Sequence, residues 1–179
     1  MPGADVHVES LAALFRNLRL PVGLVVDEVR LEGDGLALNT PKSSVGLDRP
    51  GRVVATISEH RLAEFLNLKA PGGLRGFAVR AEGGELTVTA QAPMLIPVKA
   101  TAQCSLEIVD GKRLNVVLKD VEVLGLGARG LVEAQLDKLN PVFDAAELPL
   151  DVTLTRVEVE GGLLTLHGEI SKDVLRASQ

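Results

Sequence analysis

The chain has 179 residues, a formal net charge of -5, 46% apolar residues and only 2% aromatics, with no Trp and no Tyr. The apolar share suffices for a packed core and excludes a disordered type, and the length suits a single domain over residues 1–179. Four Phe cannot build the ring platform that single-stranded nucleic acid stacks on, and no Lys/Arg block supplies a basic footprint, so nucleic acid is excluded as a partner.

The N-terminal "MPGADVHVES" lacks a basic region followed by an apolar stretch, so no signal peptide is read there. No uninterrupted apolar run approaches the ~18 residues that span a bilayer. The single cysteine, Cys104, permits no internal disulfide and suits a reducing compartment. The expected location is the cytoplasm, with membrane contact limited to the periphery.

Along the chain, "SLAALFRNL" (10–18) places Leu11, Leu14, Phe15 and Leu18 in helical phase. "VRLEGDGLAL" (29–38) then shows two alternating runs around an acidic-Gly centre, the pattern of a hairpin. "SEHRLAEFLNLK" (58–69) reads as a helix: Ser58 is a good N-cap, Glu59 sits in the first turn, and Leu62, Phe65 and Leu66 form a stripe that "APGG" ends. "VRAEGGELTV" (79–88) and "VEVEGGLLTL" (157–166) repeat the hairpin frame, and "LEIVDGKRLNV" (106–116) is a copy with a longer turn. "ARGLVEAQLDKLN" (128–140) predicts another helix, with Val132, Leu136 and Leu139 on one stripe. In "LDKLNPVFDAAELPL" (136–150), Pro141 stops that helix, and a corner carries Phe143 across the end of the sheet before Leu148-Pro149 releases the last hairpin. The tail "SKDVLRAS" predicts a short helix. The fold class expected from these elements is α+β: a long, bent, mostly antiparallel sheet of about eight strands around two or three helices.

Chemistry-bearing motifs are sparse. "GLGARG" (125–130) matches the dinucleotide fingerprint in letters, but no βαβ unit surrounds it. It reads as a Gly-rich entry to a helix, whose backbone N–H groups could meet a phosphate. His7, His60 and His167 have no metal-ligand spacing, and Cys104 has no neighbouring ligand. No nucleophile elbow occurs, and the carboxylates gather at hairpin turns as a solvated face. No catalytic residue, cofactor or metal is therefore expected. "APMLIPVKA" (92–100) brackets Met94, Leu95 and Ile96 between prolines, which suits either a buried strand start or an exposed aliphatic tip that meets a bilayer or a partner.

Two stretches resemble a known family. "GRVVATISEHRLAEFL" (51–66) is similar to the strand-then-helix entry of the LmeA-like phospholipid-binding family. "VEVLGLGARGLVEAQLDKLNPVFDAAELPLDVTLTRVEVEGGLLTLHGEI" (121–170) is similar to its strand, helix, Leu-Asn-Pro, Leu-Pro and hairpin order, and "IPVKAT" (96–101) resembles a strand that precedes it. The likeness covers about residues 20–170. It implies a non-enzymatic phospholipid-binding domain with a tubular lipid-binding-like fold and an apolar groove. It brings no catalytic residues.

The expected function is therefore binding of phospholipid or another acyl lipid in an aliphatic groove between helices and sheet. The residues expected to line it are Leu62, Phe65, Leu66, Met94, Leu95, Ile96, Val132, Leu136, Leu139 and Phe143. The alternative is a structural or protein-interaction domain with a closed core, an apolar edge at Met94–Ile96 and a partner that the sequence does not identify.

Overall fold

The computed structural model describes residues 5–39, 44–92, 98–123, 136–148 and 150–175. About two thirds of the described residues are strand. In order the elements are β1 (Asp5–Arg19), β2 (Val25–Asn39), β3 (Ser44–Gly46), β4 (Gly51–Ser58), α1 (Glu59–Lys69), β5 (Arg75–Glu82), β6 (Glu85–Ala92), β7 (Val98–Val109), β8 (Arg113–Val123), β9 (Phe143–Asp144), β10 (Val152–Glu160), β11 (Leu163–Ile170) and β12 (Asp173–Leu175). They form two antiparallel sheets. The larger has seven strands in the order β10-β11-β4-β2-β3-β12, with β1 paired to the other side of β2. The smaller has five, in the order β5-β6-β7-β8-β9.

This corrects the expected α+β class. The chain is mostly β, with twelve strands rather than about eight and one full helix among the described residues, α1. Residues 10–18 are not a helix: they lie in β1, which pairs with β2 from Asp5↔Asn39 to Arg19↔Val25. Helical spacing on a strand sends apolar groups to both faces. Leu11, Leu14, Phe15 and Leu18 are accordingly all 39–46% exposed. The pairing with β2 overrides the local period.

Residues 29–38 are not a hairpin either, because they run straight through β2. Their glycines serve close approach. A Cβ on Gly33 would meet Leu47 Cδ2 at 3.0 Å, and Gly35 (φ 66) faces Asp48, whose N–H donates to the carbonyls of Asp34 and Gly35. The tail predicted as a helix contributes Asp173–Leu175 as strand β12, paired with β3.

The other hairpins form where expected. Gly83-Gly84 and Gly161-Gly162 all have positive φ, as two-residue hairpin turns require, and Asp110-Gly111 turns β7 into β8. The first two turns also tie the sheets together. Gly84 N–H donates to the Val159 carbonyl and Gly162 N–H to that of Ala81, both at 2.9 Å. At the opposite end of β10, Leu154 N–H donates to Gly111 at 2.7 Å, and Lys112 Nζ reaches Asp151 Oδ1 at 2.6 Å and the Val152 carbonyl at 2.7 Å.

α1 is held at its start by three elements. Ser58 Oγ accepts from Arg61 N–H, Asp27 on β2 accepts from Ser58 N–H at 2.6 Å and from Arg61 Nε at 3.2 Å, and Glu59 Oε2 accepts from Ala81 N–H on β5. Of the helix predicted over 128–140, residues 136–139 are helical and the part before them lies outside the described residues.

Candidate functional site

Alternation on the strands aims one face of each sheet at the other. On the five-stranded sheet, Phe77 and Val79 of β5, Leu86 and Val88 of β6, Cys104 and Leu106 of β7, and Leu114 and Val116 of β8 point inward. A register shift between Gln103 and Cys104 changes the phase of β8, so Val121 also turns inward. The larger sheet answers with Val26, Ala55, Ile57, Leu164 and Leu166.

These faces do not close on each other. They and α1 enclose a cavity of about 590 Å3. Its described lining is aliphatic apart from Phe65, Phe77, Phe143, Cys104, Thr101 and His167. α1 gives the same picture from the other side. Its stripe of Leu62, Phe65 and Leu66 lines the cavity, yet none of its residues is fully buried. A stripe packed into a solid core would be.

Two packed clusters bound the space. One joins Leu24, Val26, Ile57, Ala81, Leu86, Cys104, Val159 and Leu164 where the hairpin turns meet. The other joins Ala145, Val152, Leu154 and Ile170, with Phe143, Leu148 and Leu150 against it. Phe143 pairs with Leu114, extends the sheet by β9, and stands between cavity and second cluster.

Of the residues singled out from sequence, Leu62, Phe65, Leu66, Leu136, Leu139 and Phe143 come together on the cavity wall. Met94, Leu95, Ile96 and Val132 lie outside the described residues, as does "GLGARG". The residues missed are the strand faces, which supply most of the wall. Their signal was the same period-2 alternation that located the hairpins, but alternation alone does not say that the facing layer stands off.

The cavity holds few titrating groups. Burial, with Glu85 nearby adding to it, pushes the Cys104 thiol up to about 11. The thiol is thus a neutral part of the wall. Burial would also raise Asp27, but the Ser58 N–H, the Ser58 hydroxyl and the Arg61 guanidinium outweigh it and hold that carboxyl below its ordinary value. Among the described residues no group of three or more His, Cys, Asp and Glu is placed to hold a metal ion. No helix among them is long and apolar enough to cross a membrane.

Fold and cavity together define a mostly-β protein with a ligand-sized aliphatic interior. The chain belongs to the LmeA-like phospholipid-binding family, which matches residues 4–169. Neither a curated protein nor a solved structure matches it.

Proposed function

We propose that this chain is a non-enzymatic phospholipid-binding protein that holds acyl chains in the cavity between α1 and the two sheets. The observation that carries the reading is the 590 Å3 aliphatic space facing an apolar but incompletely buried helix stripe. Protein interiors leave few voids larger than a water molecule, and small-molecule sites occupy roughly 300–1,000 Å3. At about 24 cal/mol per Å3, a sealed void of this volume would cost on the order of 14 kcal/mol. That equals the whole stability of a typical domain, about 5–15 kcal/mol. Water gains little there, because it needs polar partners. An acyl chain gains about 0.8 kcal/mol for each buried CH2. The six sequence-selected residues on the wall are proposed contacts, five from helical segments and Phe143 from β9, and the headgroup stays toward solvent.

Native mass spectrometry of gently purified protein tests this. The expected result is added mass that organic extraction releases as phospholipid. Lipid-free protein that also takes up no phospholipid from vesicles overturns the reading.

A further inference from the structure

The two ends of the cavity differ. Phe143 and the second cluster fill one. At the other, wall residues reach the surface: Leu18 is 39% exposed and Gly72 is exposed, and both line the cavity. Three chain segments converge there. They are the β1–β2 turn, the last turn of α1 with the loop to β5, and the start of β7 beside the end of β6. Leu68 Cδ2 lies 3.3 Å from where a Cβ on Gly23 would stand, which joins the first two, and Asn67 bonds to Phe77 at the head of β5. Leu68 is the most exposed large apolar residue described, at 68%.

The charge at this end is one-sided. Residues 10–26, 65–81 and 86–106 contain no Asp or Glu, in a chain with 24 of them and a net charge of -5. Those same stretches bring Arg19, Lys69, Arg75 and Lys99, all exposed, to the mouth. Arg75, Gln91 and Lys99 stand in one cross-strand row on the outer face of the smaller sheet. Lys69 Nζ lies 5.8 Å from the Phe65 ring centre, so a cation sits beside the cavity wall itself. These four cations stand around an exposed leucine and an apolar opening, with Glu122, opposite Thr101, a nearby carboxylate in register on the smaller sheet.

We propose that the protein docks this end on a bilayer carrying anionic phospholipid, with Leu68 and Leu18 entering the headgroup layer and the basic rim meeting phosphates. This rests on the lipid-binding reading above and adds where lipid enters and which membrane surface is chosen. Basic residues near an anionic leaflet each contribute about fivefold in partitioning, and salt screens the contribution.

The test is co-flotation with vesicles of phosphatidylcholine alone and with phosphatidylglycerol added. The wild-type chain should favour the anionic vesicles, and salt should weaken that preference. Arg19→Gln/Arg75→Gln should lose roughly 25-fold in anionic binding, and Leu68→Asp should lose binding to both vesicle types. None of these side chains lines the cavity, so bound lipid in native mass spectra should be unchanged, and circular dichroism melting checks the fold. Equal wild-type binding to both vesicles, or variants that float like wild type, overturns the docking site while leaving lipid binding intact. Protein with no lipid in its native spectrum overturns the underlying reading instead.

Discussion

The side-chain amide of Asn140 is paired with the backbone of Val116: its Oδ1 accepts from Val116 N–H and its Nδ2 donates to the Val116 carbonyl, both at 2.9 Å. Asn67 does the same to Phe77, again with two bonds of 2.9 Å. A carboxamide offers a donor and an acceptor side by side, as a neighbouring strand does. Each Asn thus finishes one edge of the five-stranded sheet, at β8 and at β5. Unpaired edges invite strand addition from other chains.

Replacing Asn140 by Ala leaves the half-buried Val116 N–H and carbonyl without these partners. The expected loss is about 1–3 kcal/mol by urea denaturation. Asn140→Asp should cost at least as much, because a carboxylate cannot donate to the carbonyl. Asn67→Ala should also destabilise. The two losses should add within about 0.5 kcal/mol, since the sites lie on opposite edges.

Asp27 carries an acid-side prediction. Its folded pKa lies below the usual 3.8. A depressed carboxyl stabilises the fold above its unfolded pKa, and that contribution disappears as pH falls through the folded value. Asp27→Asn should therefore lower stability at neutral pH and flatten the loss of stability below about pH 4. A wild-type and variant pair with parallel acid curves would exclude the Ser58–Arg61 clamp as the cause.

Cys104 carries the alkaline counterpart. Its thiol is raised from 9.0 to about 11. A raised group contributes fully below its unfolded value, and the contribution is lost as pH rises through the folded one. Stability should thus decline between 9.0 and about 11, and Cys104→Ala should flatten that window. Iodoacetamide should label the native thiol far more slowly than the unfolded chain, because the thiolate is the reactive form. Bound lipid should slow it further, since Cys104 lines the cavity.

Volume changes should act oppositely at two sites on the smaller sheet. Leu114 is 2% exposed and packed, so Leu114→Ala should cost about 2–5 kcal/mol. Ala102 faces the open cavity from β7, so Ala102→Phe has room for the larger ring. Its melting temperature should hold while lipid uptake falls. A large drop in melting temperature for Ala102→Phe would mean that the space beside β7 is not free to be filled.

Short-range chemistry was legible in the sequence. Gly83-Gly84, Gly161-Gly162 and Asp110-Gly111 announce their turns because those backbones need positive φ wherever they sit. Ser58 announces α1 because a cap satisfies an N–H three residues on. The Leu62–Phe65–Leu66 stripe followed from the 3.6-residue period. The family was legible too, from the order of strand, cap, Leu-Asn-Pro and hairpin.

What only the tertiary structure decided depends on partners distant in the chain. β1 is a strand because β2 pairs with its whole length, although its leucines keep helical time. Gly33 and Gly35 are spacers for Leu47 and Asp48 rather than a turn, which nothing within 29–38 could reveal. The cavity is the extreme case. Alternation told each strand which face to hide, but the distance between the two hidden faces is set by hairpin turns bonding across sheets at Gly84 and Gly162 and by β10 gripping Gly111. Those contacts fix where the two layers meet, and the expected groove takes most of its wall from strand faces that helical periodicity could not point to.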